Sequence, residues 1–197
     1  ERGKAMQAAV PIDKGNMIAV LGLKIEEVED CIKDINKKKG ACEIANDNAN
    51  GQVIISGDSE SINLLQILLK EKKIKSIPLK VSAPFHCSLM KPAAQSMQEK
   101  INNTKFSNPV FKIIHNVTAN AENNPNSIKK LLIDQISSTV RWRESLINMS
   151  NAGTKNFVEI GPGKALTGMV KRTIKDANCF SINSIADIKN IINEFKK

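Results

Sequence analysis

His86 is one of two histidines in 197 residues, and it stands in Val81-Ser82-Ala83-Pro84-Phe85-His86-Cys87-Ser88-Leu89-Met90. An imidazole titrates near neutral pH, so a histidine between a strand and a helix can take and return a proton as a general base. The same placement also suits a satisfied polar group. Cys87 beside it invites a thiol–imidazole pair, but neighbours in an extended segment point to opposite faces. Cys87 therefore reads as a small buried thiol, and His115, in a short apolar stretch, reads as structural. Arg2 is one of four arginines in a chain with 25 lysines. Its planar guanidinium can grip a carboxylate through two parallel hydrogen bonds, which an ammonium cannot; a solvated surface cation is the alternative. Gly161-Pro162-Gly163-Lys164 fails as a phosphate loop: the glycines are too close, Pro162 lacks an N–H, and Leu166 replaces the third glycine of a dinucleotide fingerprint. It reads as a tight turn between a strand and a helix.

The elements that must position these residues alternate in type. Met6 and Val10, with the alanines, give a first helix an inward face, and Pro11 stops it. That helix starts without a cap, as a piece of a longer chain would. Strands are expected at residues 16–22, 42–46, 52–56 and 75–81, with a polar turn at Asp47-Asn48-Ala49-Asn50-Gly51. Helices are expected over 25–35, closed by Lys37-Lys38-Lys39-Gly40, and from a capping Ser59. This β-α-β-β-α-β order is the ferredoxin-like unit. Beyond it, helices are expected at 90–102, 128–137, 142–151 and 164–175, with another from Ile185. Strands are expected at 111–116, 156–160 and 180–183, and a polar loop at 120–126. The alternation is α/β, with too few strands for a complete sheet.

Composition narrows the classes. The formal charge is +9, but Lys, Asn (21) and Ile (26) are all abundant and share AT-rich codons. Charge alone is then a weak argument for nucleic acid, and no aromatic interleaving supports a single-strand binder. No run approaches the ~20 apolar residues of a membrane helix. Four dispersed cysteines without a CxxC motif fit neither a zinc site nor a disulfide framework.

Several segments occur together in one order. They are Arg2-Gly3-Lys4-Ala5-Met6-Gln7-Ala8-Ala9-Val10-Pro11, Ala45-Asn46-Asp47-Asn48, Gln52-Val53-Ile54-Ile55-Ser56-Gly57, Pro84-Phe85-His86-Cys87-Ser88-Leu89-Met90-Lys91-Pro92, Asp134-Gln135, Val140-Arg141-Trp142 and Glu159-Ile160-Gly161-Pro162-Gly163-Lys164-Ala165-Leu166-Thr167-Gly168. In that order they resemble the malonyl-CoA:acyl-carrier-protein transacylases of type II fatty acid synthesis, over essentially the whole chain.

The resemblance implies an α/β fold. The ferredoxin-like small subdomain would be residues 12–79, and residues 1–11 and 80–197 would belong to an α/β-hydrolase-like large subdomain. It implies ping-pong transfer of malonyl from coenzyme A to a carrier protein's phosphopantetheine thiol through a serine in a Gly-His-Ser-Leu-Gly elbow, with no cofactor or metal. His86 would shuttle the proton and the carbonyl of Gln135 would orient it. Arg2 would hold the malonyl carboxylate, and Asn46 and Asn48 would lie near the substrate. The elbow is not in this sequence, nor is the Gly-Gln-Gly-Ser-Gln segment of the family. The chain is thus expected to be the C-terminal two-thirds of an enzyme, inactive alone. Asn50 also replaces the family's usual proline. The expected partners are malonyl-CoA and an acidic acyl carrier protein, with neither nucleic acid nor membrane, in a monomer. The compartment would be a plastid-type (apicoplast-like) organelle in an AT-rich eukaryote, and bacterial cytoplasm otherwise. The competing reading is a non-catalytic module that docks the acidic carrier protein.

Overall fold

Strand β1 (Gly15–Leu21) carries an unbroken buried run from Met17 to Val20, the pattern of a strand covered on both faces. The computed structural model describes residues 1–37 and 40–195. Around β1 lie α2 (Ile25–Asn36), β2 (Cys42–Ala49), β3 (Gln52–Asp58), α3 (Ser59–Glu71) and β4 (Lys75–Pro78). The sheet order is β2-β3-β1-β4 and every neighbouring pair is antiparallel. One face packs Ile18, Val20, Val53 and Ile55 against Val28 and Ile32 of α2 and Leu65 and Leu69 of α3. Each such fully buried side chain contributes roughly 1.5–3 kcal/mol. The other face packs Met17, Ala19, Ala45 and Ile54 against Leu79 and Phe85.

Two helices depart clearly from the sequence expectation at their ends: the one expected at 128–137 lies at Pro125–Asp134, and the one expected from Ser59 has a different cap. Asp58, not Ser59, caps α3: its carboxylate accepts the Ser61 N–H at 2.8 Å and also the Ala41 N–H at 2.6 Å. A carboxylate accepts more bonds than a hydroxyl, so it closes the helix and anchors the start of β2 together. Helix α2 ends at Asn36 with Lys37 as its cap, while Lys38 and Lys39 of the expected stop signal lie outside the described residues. The polar stretch from Asp47 to Ala49 is strand, and only Asn50 and Gly51 turn, with Gly51 at φ +74°.

Helix α1 (Arg2–Ala8) packs on α4 (Lys91–Asn103) through Met6, Ala93 and Met97, and Ile136 joins them. The expected strand at 111–116 shrinks to β5 (Ile113–Ile114). It pairs with β6 (Ala121–Glu122), inside the segment expected to be a loop. The Ala119 N–H to His115 carbonyl bond (2.7 Å) closes that turn, and the His115 N–H donates to the Asn120 carbonyl (3.0 Å), a pairing made by local backbone bonds rather than by apolar periodicity. Helix α5 (Pro125–Asp134) follows, capped by the Asn124 side chain.

The chain divides into two compact units, one through Ser145 and one from Leu146. Helix α6 (Trp142–Asn151) contains the division. In the second unit β7 (Asn156–Ile160) and β8 (Asn178–Ile182) pair in parallel, with α7 (Ala165–Thr173) between them and α8 (Ile185–Phe195) after them. No described helix is long and apolar enough to cross a membrane.

Candidate active site

Apolar contacts on the residue before it set the place of His86. Phe85 packs against the β1/β3 cluster and also against the Met6–Met90–Ile136 cluster. Pro84 presses on β1 so closely that a Cβ at Gly15 would lie 2.2 Å from its Cγ, leaving room only for glycine. His86 adopts φ +59°, a left-handed backbone that costs an L-residue roughly 1–2 kcal/mol. Such strain persists only where the surroundings over-determine it, and it clusters at functional sites.

The imidazole is half-buried, and its Nδ1 lies 2.9 Å from the carbonyl oxygen of Gln135. A carbonyl can only accept, so Nδ1 carries the proton and Nε2 keeps a free lone pair. Gln135 caps the C-terminus of α5, where carbonyls have no partner within the helix and the helix dipole is negative. A backbone oxygen can therefore do here what a carboxylate does in a catalytic triad. Burial pushes the His86 pKa below its ordinary value. The Gln135 carbonyl opposes this, the Arg2 guanidinium adds to it, and the Ser138 backbone opposes it. The net result is a neutral ring at pH 7, ready to accept a proton. Arg2 itself is exposed, at the start of α1.

The segment that carries the acceptor is tied to β2. The Val140 N–H donates to the Ala45 carbonyl (2.8 Å), the Asp47 N–H donates to the Val140 carbonyl (3.0 Å), and Thr139 Oγ1 donates to the Ile44 carbonyl (2.6 Å). Asn46 thus pairs with Val140, at a bulge that shifts β2 relative to β3. Asn48 sits at the second shift, half-buried. So His86 and Gln135 meet directly and Asn46 reaches the same loop, Arg2 acts on the ring through its charge, and Asn48 makes no hydrogen bond to that loop among the described residues.

Sequence reasoning missed two charged contacts around this centre. Asp47 is 1% exposed and accepts from Arg143 Nε at 3.0 and 2.9 Å, with Nη2 at 2.8 Å. The scarcity of arginine was a usable signal for Arg143. Glu43, a lone acid in the apolar start of β2, accepts from the Ser88 N–H and hydroxyl.

Two further thiols and one further candidate anion site are closed. Burial pushes the Cys42 thiol up to about 12, and burial also raises Cys87, whose Sγ donates to the Pro84 carbonyl. At the Gly161-Pro162-Gly163 turn the Glu159 carboxylate accepts the Leu166 and Thr167 N–H groups, at 3.1 and 2.7 Å. The N-terminus of α7 is thereby already filled by an anion.

The acyl transferase domain family matches residues 1–194. The malonyl CoA-acyl carrier protein transacylase of Haemophilus influenzae is 36% identical over 195 residues, covering 98% of this chain and 62% of its own. An acyl carrier protein S-malonyltransferase from Vibrio cholerae superposes with a TM-score of 0.92 at 37% identity, over 96% of this chain and 62% of its own. A malonyl-transacylase solved in complex with a type II PKS acyl-carrier protein gives a TM-score of 0.93 at 32% identity, over 98% of this chain and 62% of its own. The chain thus spans 62% of the length of the curated relative named here. The relatives with named sources are bacterial, which lends no support to the plastid expectation.

Proposed function

The chain belongs to the acyl transferase domain family, and from that premise we propose that it supplies the histidine side of a malonyl-CoA:acyl-carrier-protein transacylase. The single observation that carries this reading is the 2.9 Å bond from His86 Nδ1 to the Gln135 carbonyl. It leaves Nε2 bare and fixed in direction, which is what a base for a serine hydroxyl requires.

The nucleophile in this proposal is a serine outside these 197 residues. As the serine oxygen attacks the malonyl thioester carbonyl, its proton passes to His86 Nε2. When the C–S bond breaks, the imidazolium returns that proton to the coenzyme A thiolate, leaving a malonyl ester on serine. In the second half the carrier's phosphopantetheine thiol gives its proton to the same nitrogen and attacks the ester. His86 then reprotonates the serine. No cofactor is needed. Arg2 pairs with the malonyl carboxylate, the one group that distinguishes malonyl from acetyl. The acyl carrier protein is the second substrate. The named bacterial relatives favour bacterial cytoplasm as the compartment.

The test is malonyl transfer to holo-carrier protein by the full-length parent. His86→Ala should lower the rate by about 10²–10⁴-fold, and a near wild-type rate would sink the proposal. The 197-residue chain alone should form no malonyl-enzyme. The +9 charge also fits a non-catalytic module that docks an acidic carrier. A full-length parent that binds the carrier but never becomes acylated would favour that reading.

A further inference from the structure

Strand β2 bonds to a residue two beyond His86 and to residues four and five beyond Gln135. On the acceptor side it holds residues 139–140 through Ile44, Ala45 and Asp47. On the imidazole side, both oxygens of the Glu43 carboxylate lie 3.1 Å from the Ser88 nitrogen, and the Ser88 hydroxyl donates to the same group. Ser88 is two residues beyond His86 and opens a short 3-10 helix (Ser88–Met90). Its N–H has no partner within that turn, so an acceptor from outside must supply one. A half-buried carboxylate is costly unless it is hydrogen-bonded, and Ser88 supplies that compensation. Between Phe85, fixed by packing, and Ser88, fixed by Glu43, His86 is held at φ +59°.

We propose that Glu43 is a positioning residue for His86. It fixes segment 86–88 so that Nδ1–H meets the Gln135 carbonyl, whose own segment the same strand holds four residues or fewer further along. This inference rests on the reading of His86 as the base. Glu43 touches no reacting atom; it acts through Ser88 on the direction of the ring. A misplacement of about 1 Å at a reacting group can cost about 10²-fold, so loss of Glu43 appears in turnover rather than in substrate affinity.

The experiment uses the full-length parent with malonyl-CoA and holo-carrier protein, and compares Glu43→Ala, Glu43→Gln and His86→Ala. Glu43→Ala should lower kcat by about 10- to 100-fold, with the KM for malonyl-CoA within about twofold. Glu43→Gln keeps one carbonyl acceptor for the Ser88 N–H and should recover part of the loss. Rates are taken per folded enzyme, with the thermal midpoint recorded for each variant. If Glu43→Ala fails to fold, Glu43→Gln decides: a reduced kcat supports the proposal and a wild-type kcat overturns it. A wild-type kcat in folded Glu43→Ala overturns it as well. Should His86→Ala remain active, the base reading falls first. Should His86→Ala be dead while Glu43→Ala is wild type, only the positioning role falls.

Discussion

At His86 the physical question is which nitrogen holds the proton, and the Gln135 carbonyl answers it. Because burial and Arg2 hold the ring below its usual pKa, the acid limb of kcat/KM should fall at a pH below 6.5, the ordinary imidazole value. Imidazolium cannot accept a proton, so activity rises with pH through that point. A rate profile with an acid limb above the ordinary histidine value would contradict this. The same depression has a stability consequence of fixed sign. Above the ordinary value both states are neutral and the contribution is fully present. As pH falls through the folded pKa, the unfolded chain binds the proton first and the contribution is lost. If Arg2 has the proposed role, Arg2→Ala removes one charge-assisted contact with the malonyl carboxylate, worth ~1.5–3 kcal/mol. It should lower malonyl transfer by about tenfold or more and narrow the preference over acetyl. Parallel assays with the two acyl-CoAs check this, and an unchanged preference would refute the assignment.

At the scale of elements, β2 connects the small sheet to the site. Asp47 and Arg143 form a pair whose acid is 1% exposed. Breaking one side of a buried pair typically costs about 3–5 kcal/mol, while replacing both with apolar groups can be nearly neutral. Asp47→Ala should therefore lower the unfolding free energy by about that amount, and Asp47→Leu with Arg143→Met should restore most of it. Denaturant unfolding checks both, and equal stabilities for all three proteins would rule out the pair as a support. Gly15→Ala should destabilise as well, because the new methyl meets Pro84. The strands and helices here were legible from apolar periodicity: the run Met17–Val20 and the face Val28–Ile32–Ile35 need no tertiary knowledge. The extension of β2 through Asp47-Asn48-Ala49 was not legible. Its polar residues are paid for by β3, Val140 and Arg143, which no local window contains. The β5–β6 hairpin was hidden because each strand is only two residues long, too short for an alternating pattern. His86 and Arg2 were singled out by residue type and place, Gln135 by motif order, and Glu43 by neither.

At the scale of the whole molecule, charge acts at a distance. A formal +9 should speed encounter with an acidic carrier protein, and exposed charges are screened over about 8 Å at physiological salt. In stopped-flow binding by the full-length parent, raising the salt should slow association with the carrier far more than it changes dissociation; a salt-independent on-rate would remove the steering role. The two compact units differ in what they hold: the proposed base, its acceptor and the arginine all lie in the unit through Ser145. That unit is where the central claim must be tested, and the most direct measurement is the 15N–1H spectrum of the histidine rings in the full-length parent at pH 7, with His86→Gln used to assign the signal. The account predicts a neutral ring protonated on Nδ1 with Nε2 bare. A ring protonated on Nε2, alone or together with Nδ1, would contradict it.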